Sequence, residues 1–284
     1  MSFVDDGWEA DFPLVMHFVD IGNLYSMPWK MLQKHPDYDA AKKHEDRTAA
    51  LRLVASYLDK SENRSQIQWL KNNYPGAIIV PVRALEAGGN NRLPVALGEY
   101  LAFKTDFEID TGIVQSNTVH RTGSDAWHRL AFRPEFSGPV KQGGKYILVD
   151  DVFSNGGTFS ELRHHIEKNG GKVLQTASLA LGGHGSYIAM APETRKKLLD
   201  KYSDKKLQLF MSEEKLYDGN YKCLTNREAL AICSAASLDT ARNCIHEARR
   251  IGNTQIYAGL VDEREEKLKH IRSDRKPITR SIER

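Results

Sequence analysis

Apolar positions along the chain follow two different periods. Between residues 76 and 211, the short runs GAIIVPV, FEIDTGIVQS, KYILVDD and KVLQTASLAL are rich in β-branched residues and bounded by glycine, proline or polar clusters. Such runs predict buried strands. The segments between them place apolar residues at three- and four-residue intervals. They predict a helix entered near Pro94 and a second helix over GTFSELRHHIEKNGG, stopped by its glycines. LQLFM (Leu207–Met211) reads as a further strand. This alternation predicts an α/β core over 76–211, with a mainly parallel central sheet flanked by helices. Helical additions are predicted on both sides. TAALRLVASYL and SQIQWLKNNYPG fall in an N-terminal layer over 1–75, and TNREALAICSAA and LDTARNCIHEARRI in a C-terminal region over 212–284. Residues 117–143 show no period and are broken by Gly123, Pro134, Gly138, Pro139 and Gly143. A loop that long in a compact domain is expected to be functional.

Composition narrows the class only a little. The chain has 284 residues, 40% hydrophobic and 27% charged, with a formal net charge of +3. That charge is too mild to argue for nucleic acid by itself. Cys223, Cys233 and Cys244 lack metal-type spacing and are expected to be reduced thiols. The start, MSFVDDGWEADF, is acidic where a secretory signal would be basic. The apolar patch FPLVMHFVDIG is short and contains His17 and Asp20, so it cannot span a bilayer. A soluble, cytoplasmic protein is expected. The tail from Lys267 to Arg284 is basic, and a solvated end is expected there before a contact with nucleic acid or protein.

The chemistry concentrates in KYILVDDVFSNGGTFSELRHHI, residues 145–166. Ligands of open parallel sheets bind beyond the carboxyl ends of the strands. Asp150 and Asp151 stand at such an end. Two carboxylates there can accept hydrogen bonds from a vicinal diol, as on a ribose, or engage Mg²⁺. Ser154, Asn155, Gly156, Gly157 and Thr158 then lead into a helix N-terminus. Amide N–H groups, the positive end of the helix and the two hydroxyls make a phosphate cradle, which the glycines let a ligand approach closely. A diol acceptor beside a phosphate cradle describes a ribose 5-phosphate site. The segment contains neither a Walker loop nor a dinucleotide GxGxxG.

YILVDDVFSNGGT resembles the phosphoribosyl-pyrophosphate (PRPP) signature of type I phosphoribosyltransferases, with Asn155 where threonine or serine is common. The resemblance covers about residues 76–211 and is strong at 145–170. It implies Mg²⁺-dependent transfer of the 5-phosphoribosyl group of PRPP to a nitrogen acceptor, with Asp150 and Asp151 orienting ribose and cation. It also implies a pyrophosphate loop at VPVRALEAGGNNRLPVAL, with Arg83, Ala84, Gly88 and Arg92 facing pyrophosphate. A mobile basic loop follows, containing His120, Arg121, His128, Arg129 and Arg133, among which Arg121 is the foremost candidate for closing over the departing group. His184, in the glycine-rich loop after the next strand, is a weaker candidate for substrate contact. His164 and His165 are adjacent on a helix, diverge by about 100°, and make a poor metal pair. A homodimer is expected from the resemblance alone. The acceptor is left open, because the peripheral segments that would choose it, 1–75 and 212–284, carry no recognised motif. A PRPP- or nucleotide-sensing regulator on the same fold is the alternative, and an interaction or defence-associated effector is a third reading.

Overall fold

The computed structural model describes residues 6–9, 11–19, 28–86, 89–117, 119, 125–182 and 185–252. Five parallel strands form the central sheet: β1 (Met16–His17), β2 (Ile78–Pro81), β3 (Glu108–Ile109), β4 (Lys145–Phe153) and β5 (Lys172–Leu181). Their spatial order is β1-β5-β4-β2-β3, and each neighbouring pair runs parallel. The protein is therefore α/β with a mainly parallel central sheet flanked by helices, as the alternation of strand and helix predicts.

Helices cover both faces of the sheet, which explains why its strands read as continuous apolar runs. Ile79, Ile147 and Val149 pack with residues of α3 (Arg47–Leu58) and α5 (Leu93–Thr105), including Leu53, Leu97 and Leu101. The alternate positions Ile78, Val80, Tyr146 and Leu148 pack with Phe159, Leu162 and Ile166 of α7 (Gly157–Lys168). The N-terminal layer completes the first face with α1 (Pro28–Gln33), α2 (Tyr38–Lys43) and α4 (Ser61–Asn73). It also supplies β1, an edge strand beside β5.

Connections leave the two central strands in opposite directions. From β2 the chain passes through α5 to β3 at one edge, and from β4 it passes through α7 to β5 on the other side. The carboxyl ends of β2 and β4 therefore lie side by side at a topological switch point, the place where a parallel sheet opens a crevice. The loops after these two strands are the ones in which the sequence places its ligand-binding residues.

Three segments differ from expectation. LQLFM is not a strand but part of α9 (Asp204–Glu213). Ser203 caps that helix by accepting from the Lys206 amide, and Leu207, Phe210 and Met211 lie at helical spacing on its buried face. FEIDTGIVQS yields only β3 and the pair Val114–Gln115, because the chain turns at Asp110, whose carboxylate accepts from the Gly112 amide. The 117–143 region contains α6 (Ala126–Ala131), N-capped by Asp125, and the short strand Phe136–Ser137, antiparallel to Val114–Gln115.

A third core lies apart from the sheet. α8 (Pro192–Lys201), α9, α10 (Asn226–Ser234) and the helical residues 238–252 bury Leu198, Leu207, Phe210, Ile232 and Ile245, and Leu130 of α6 joins them. This cluster is bolted to α7 by Arg133. Its Nη1 donates to Glu228 at 2.8 Å, its Nε donates to Glu161 of α7, and its guanidinium lies 3.9 Å from the Tyr217 ring centroid. The Arg133 side chain is only 9% exposed. Cys223, Cys233 and Cys244 are free thiols. Among the described residues, no helix is long and apolar enough to cross a membrane.

Removing the positive partner of this network strands two buried carboxylates. Arg133→Met is expected to lower stability by ~3–5 kcal/mol, the usual cost of breaking a buried pair from one side. Urea denaturation measures it, and an unchanged midpoint would contradict the structural role given to Arg133.

Candidate functional site

The acidic pair stands where β2 runs out. Pro81 is the last β2 residue paired with β4, opposite Val149, while β4 continues through Asp150 and Asp151 to Phe153 alongside β5. The two residues are thus held on extended backbone beside β5, past the point where pairing with β2 ends. The Asp150 carboxylate accepts from the Asp151 amide at 2.8 Å, and Asp151 Oδ1 accepts from the Val152 amide at 2.8 Å.

Asp151 has two further partners that the sequence did not signal. Lys42 Nζ of α2 donates to Asp151 Oδ2 at 2.8 Å, and Asn91 Nδ2 donates to the same oxygen at 2.9 Å. Asn91 also orders the start of α5, since its Oδ1 accepts from the Leu93 amide at 3.1 Å. These contacts divide the pair electrostatically. Burial works against ionising Asp151, yet the Lys42 charge and the bonds from Lys42 and Asn91 outweigh it and hold the carboxyl below its usual range. Asp150 goes the other way: burial, then the neighbouring Asp151 charge, push it well above that range. Tyr38, on α2 with Lys42, is raised by burial and by the Asp151 charge.

The glycine turn after β4 has one defined shape. Gly156 caps α7 at φ +80°, and a Cβ there would meet Ile188 Cγ1 at 3.0 Å, Phe153 Cε2 at 3.1 Å and Thr225 Cγ2 at 3.2 Å. Glycine is required on both counts. No side chain of the Gly156 cap bonds the start of α7 and no acidic residue lies in its first turn, so the positive helix end suits an anion. Ser154, Asn155 and Thr158 are half-buried around this turn, and Gly157 opens the helix. The Gly182 amide donates to the Phe153 carbonyl at 2.6 Å, fastening the exit of β5 to the same loop.

The basic residues sort themselves differently from expectation. Arg129 of α6 reaches the glycine turn, where its Nη1 donates to Ser154 Oγ at 2.9 Å. Burial draws its pKa down and Asp125 opposes that shift. Arg133 is consumed by the Glu161–Glu228 network, and the His128 ring lies 4.6 Å from that of Phe132. Arg83 donates through Nη1 to the Thr111 carbonyl. Arg92 precedes α5, with its amide on the Ala41 carbonyl at 3.2 Å and its guanidinium 3.6 Å from Glu45. Ala84 is half-buried between β2 and a two-stranded ribbon, Leu85–Glu86 with Gly89–Asn90. Gly88, His120, Arg121 and His184 lie outside the described residues, as does the basic tail. His164 turns to Asp218 at 3.3 Å and His165 to the Gly138 carbonyl at 3.1 Å, so they diverge as helical geometry requires.

A metal held directly by the protein does not suit this arrangement. Both Asp151 oxygens already accept hydrogen bonds from the chain, and Oδ2 takes two of them, from Lys42 and Asn91. Magnesium needs anionic oxygens at short range, usually one or two carboxylates plus substrate phosphates. No cluster of three or more His, Cys, Asp or Glu side chains able to hold a metal occurs among the described residues.

Comparison with known proteins gives two relatives and a set of distant structures. The chain is 36% identical over 249 residues to Protein TraN of Escherichia coli, which covers 88% of this chain and 52% of that protein. It is 36% identical over 162 residues to an uncharacterized protein of Haemophilus influenzae, covering 57% of this chain and 34% of that protein. The chain thus spans about half the length of the first relative and about a third of the second. No family model matches the chain. Among solved structures, adenine phosphoribosyltransferase from Rhodothermus marinus aligns at 15% identity and a TM-score of 0.28, covering 44% of this chain and 68% of that one. The Leishmania donovani enzyme of the same name aligns at 16% identity and a TM-score of 0.29, covering 44% and 55%. Likeness at these scores decides nothing about chemistry.

The divided pair predicts opposite effects on stability. Asp151 ionises more readily folded than unfolded, so its contribution is present above the ordinary carboxylate pKa and is lost as pH falls through its lowered folded value. Asp150 is raised, so its charging opposes folding increasingly as pH climbs from the ordinary value to the folded one. At neutral pH, Asp150→Asn is expected to raise the melting temperature by about 2–4 °C and Asp151→Asn to lower it by at least as much. Below about pH 4 the gain from Asp150→Asn should vanish. Thermal scans across pH check this, and a shift of the same sign for both variants would contradict it.

Proposed function

We propose that the crevice grips the 5-phosphoribosyl group of PRPP and transfers it to a nitrogen acceptor, releasing pyrophosphate. The observation that carries this reading is the juxtaposition, at one switch point, of two adjacent carboxylates with a helix N-terminus whose glycine cap, Gly156, follows Asp151 by five residues. The spacing suits one ligand with a diol at one end and a phosphate at the other.

In this reaction the acceptor nitrogen forms a bond to ribose C1 while the C1–O bond to pyrophosphate breaks. The electron pair leaves on the pyrophosphate oxygen, and the proton of the acceptor nitrogen passes to the released pyrophosphate or to water. Asp150 and Asp151 accept from the ribose hydroxyls and fix the sugar. Residues 154–158 hold the 5-phosphate through amides and hydroxyls, and Arg129 adds positive charge at Ser154. The chain's contribution is positioning and electrostatics, with no covalent nucleophile. Arg83 and Arg92 serve pyrophosphate only by leaving Thr111 and Glu45. That exchange costs little, because contacts at exposed or half-exposed groups are weak. Arg121 keeps its expected role over the leaving group as part of this proposal.

One observation favours a second reading, a PRPP- or nucleotide-binding regulator. The Lys42–Asp151 contact ties the crevice to the N-terminal helices, and Thr225 and Ile188 pack against Gly156, so two outlying parts of the chain sense the site directly.

Pyrophosphate release from PRPP, assayed with a panel of purine and pyrimidine bases, separates the two. Turnover with one base, falling by about a hundredfold or more in the Asp150→Asn/Asp151→Asn double variant, is the expected result. Saturable PRPP binding with no turnover on any base favours the regulator, and failure to bind PRPP overturns both. Within the same series, Gly156→Val should weaken ribose 5-phosphate binding by about tenfold or more, because it displaces the cap of the cradle.

A further inference from the structure

We propose that the Lys42 ammonium is the resident cation of the acidic pair, standing where a protein-held divalent ion would stand, so that ribose is gripped without a metal on Asp151. The inference rests on the sugar-phosphate reading above for its ligand, but its geometry is independent of that reading.

Lys42 is built into the site rather than resting on it. Its Nζ lies 2.8 Å from Asp151 Oδ2, with the two side chains only 25% and 10% exposed. The residue before it, Ala41, is fully buried, and its carbonyl accepts from the Arg92 amide at 3.2 Å. That bond docks the carboxyl end of α2 onto the segment that carries Asn91, the second donor to Asp151 Oδ2. The Arg92–Glu45 ion pair closes the same corner from the outside. Lys42 and Asn91 thus reach one oxygen from two segments that are themselves bonded together.

The charge count supports the assignment. The Lys42 ammonium sets one positive charge at 2.8 Å against the Asp151 carboxylate. A divalent ion would have to displace the Lys42 ammonium from a mostly buried carboxylate, an expensive exchange in a low-dielectric setting. Ribose hydroxyls are neutral donors and need only the carboxylate lone pairs that Lys42 and Asn91 leave open. A cation carried in on pyrophosphate is unaffected, because it would be held by phosphate oxygens.

Two measurements test this on the full chain. Calorimetric titration with ribose 5-phosphate is made in EDTA and again in millimolar magnesium. Wild-type affinity is expected to agree within about twofold between the buffers, whereas Lys42→Met should lose about tenfold or more in EDTA and regain part of it with magnesium. An increase of about tenfold with magnesium in the wild type, or undiminished affinity of Lys42→Met in EDTA, overturns the assignment. If wild type binds ribose 5-phosphate in neither buffer, the sugar-phosphate reading fails, and the cation assignment is decided by the second measurement.

That measurement is manganese binding to the unliganded protein, followed by the loss of the free-ion electron paramagnetic resonance signal. Wild type should show no site sensitive to Asp151→Asn, and Lys42→Met should gain one that Asp151→Asn removes. A manganese site on the wild type that disappears with Asp151→Asn overturns the proposal. So does Lys42→Met that folds but gains no site. If Lys42→Met does not fold, the wild-type arms decide.

Discussion

Two carboxylates on consecutive residues at the end of a buried strand are the constraint around which this protein is arranged. Like charges so close together cannot both ionise cheaply away from water, so the surroundings must either neutralise one or compensate the other. The chain does both. Lys42 and Asn91 compensate Asp151, and Asp150 is left to the neutral side. That solution requires α2 to lie over the carboxyl end of the sheet, which in turn requires the N-terminal layer to pack on the α3–α5 face. The position of the first seventy-five residues and the chemistry of the crevice are therefore one problem.

A parallel dependence links the glycine turn to the C-terminal helices. Gly156 is enclosed by Ile188, Phe153 and Thr225, and Thr225 is the N-cap of α10, where it and Glu228 form a reciprocal capping box. Glu228 also accepts from Arg133, whose second carboxylate partner is Glu161 of α7. Trp8 adds a third clamp, its indole N–H donating to Ser160 Oγ at 3.0 Å and to the Cys223 carbonyl at 3.1 Å. The cradle helix is thus gripped by the N-terminal segment and the C-terminal helices together. A loop with two glycines keeps one shape because everything around it is fixed.

Much of this was legible in the sequence, for local reasons. β2, β4, β5, α3, α5 and α7 have strong periods and clear stops, so their type needed no tertiary information. The acidic pair and the glycine turn stand next to each other in the chain, so their proximity was covalent. What stayed hidden were partners brought together across long separations. Lys42 lies 109 residues from Asp151, and Arg133 lies 95 from Glu228. Nothing in the sequence marks Lys42 out from its neighbour Lys43, the other lysine of α2, and it is selected only once the helix docks. LQLFM misled for a related reason. Five apolar-rich residues fit either period, and only the Ser203 cap and the burial of Leu207, Phe210 and Met211 choose the helix. The basic residues of 117–143 stand out in the sequence as a group, but the assignment of Arg129 to Ser154 and of Arg133 to a buried ion network depends on where α6 packs.

The most direct test of the central claim is a crystal structure of the chain soaked with ribose 5-phosphate. The account predicts density for the two ribose hydroxyls within hydrogen-bonding distance of Asp150 and Asp151, and for the phosphate on the amides of residues 154–158, with the Lys42–Asp151 contact intact. A phosphate seated elsewhere, or a sugar turned away from both carboxylates, would contradict it.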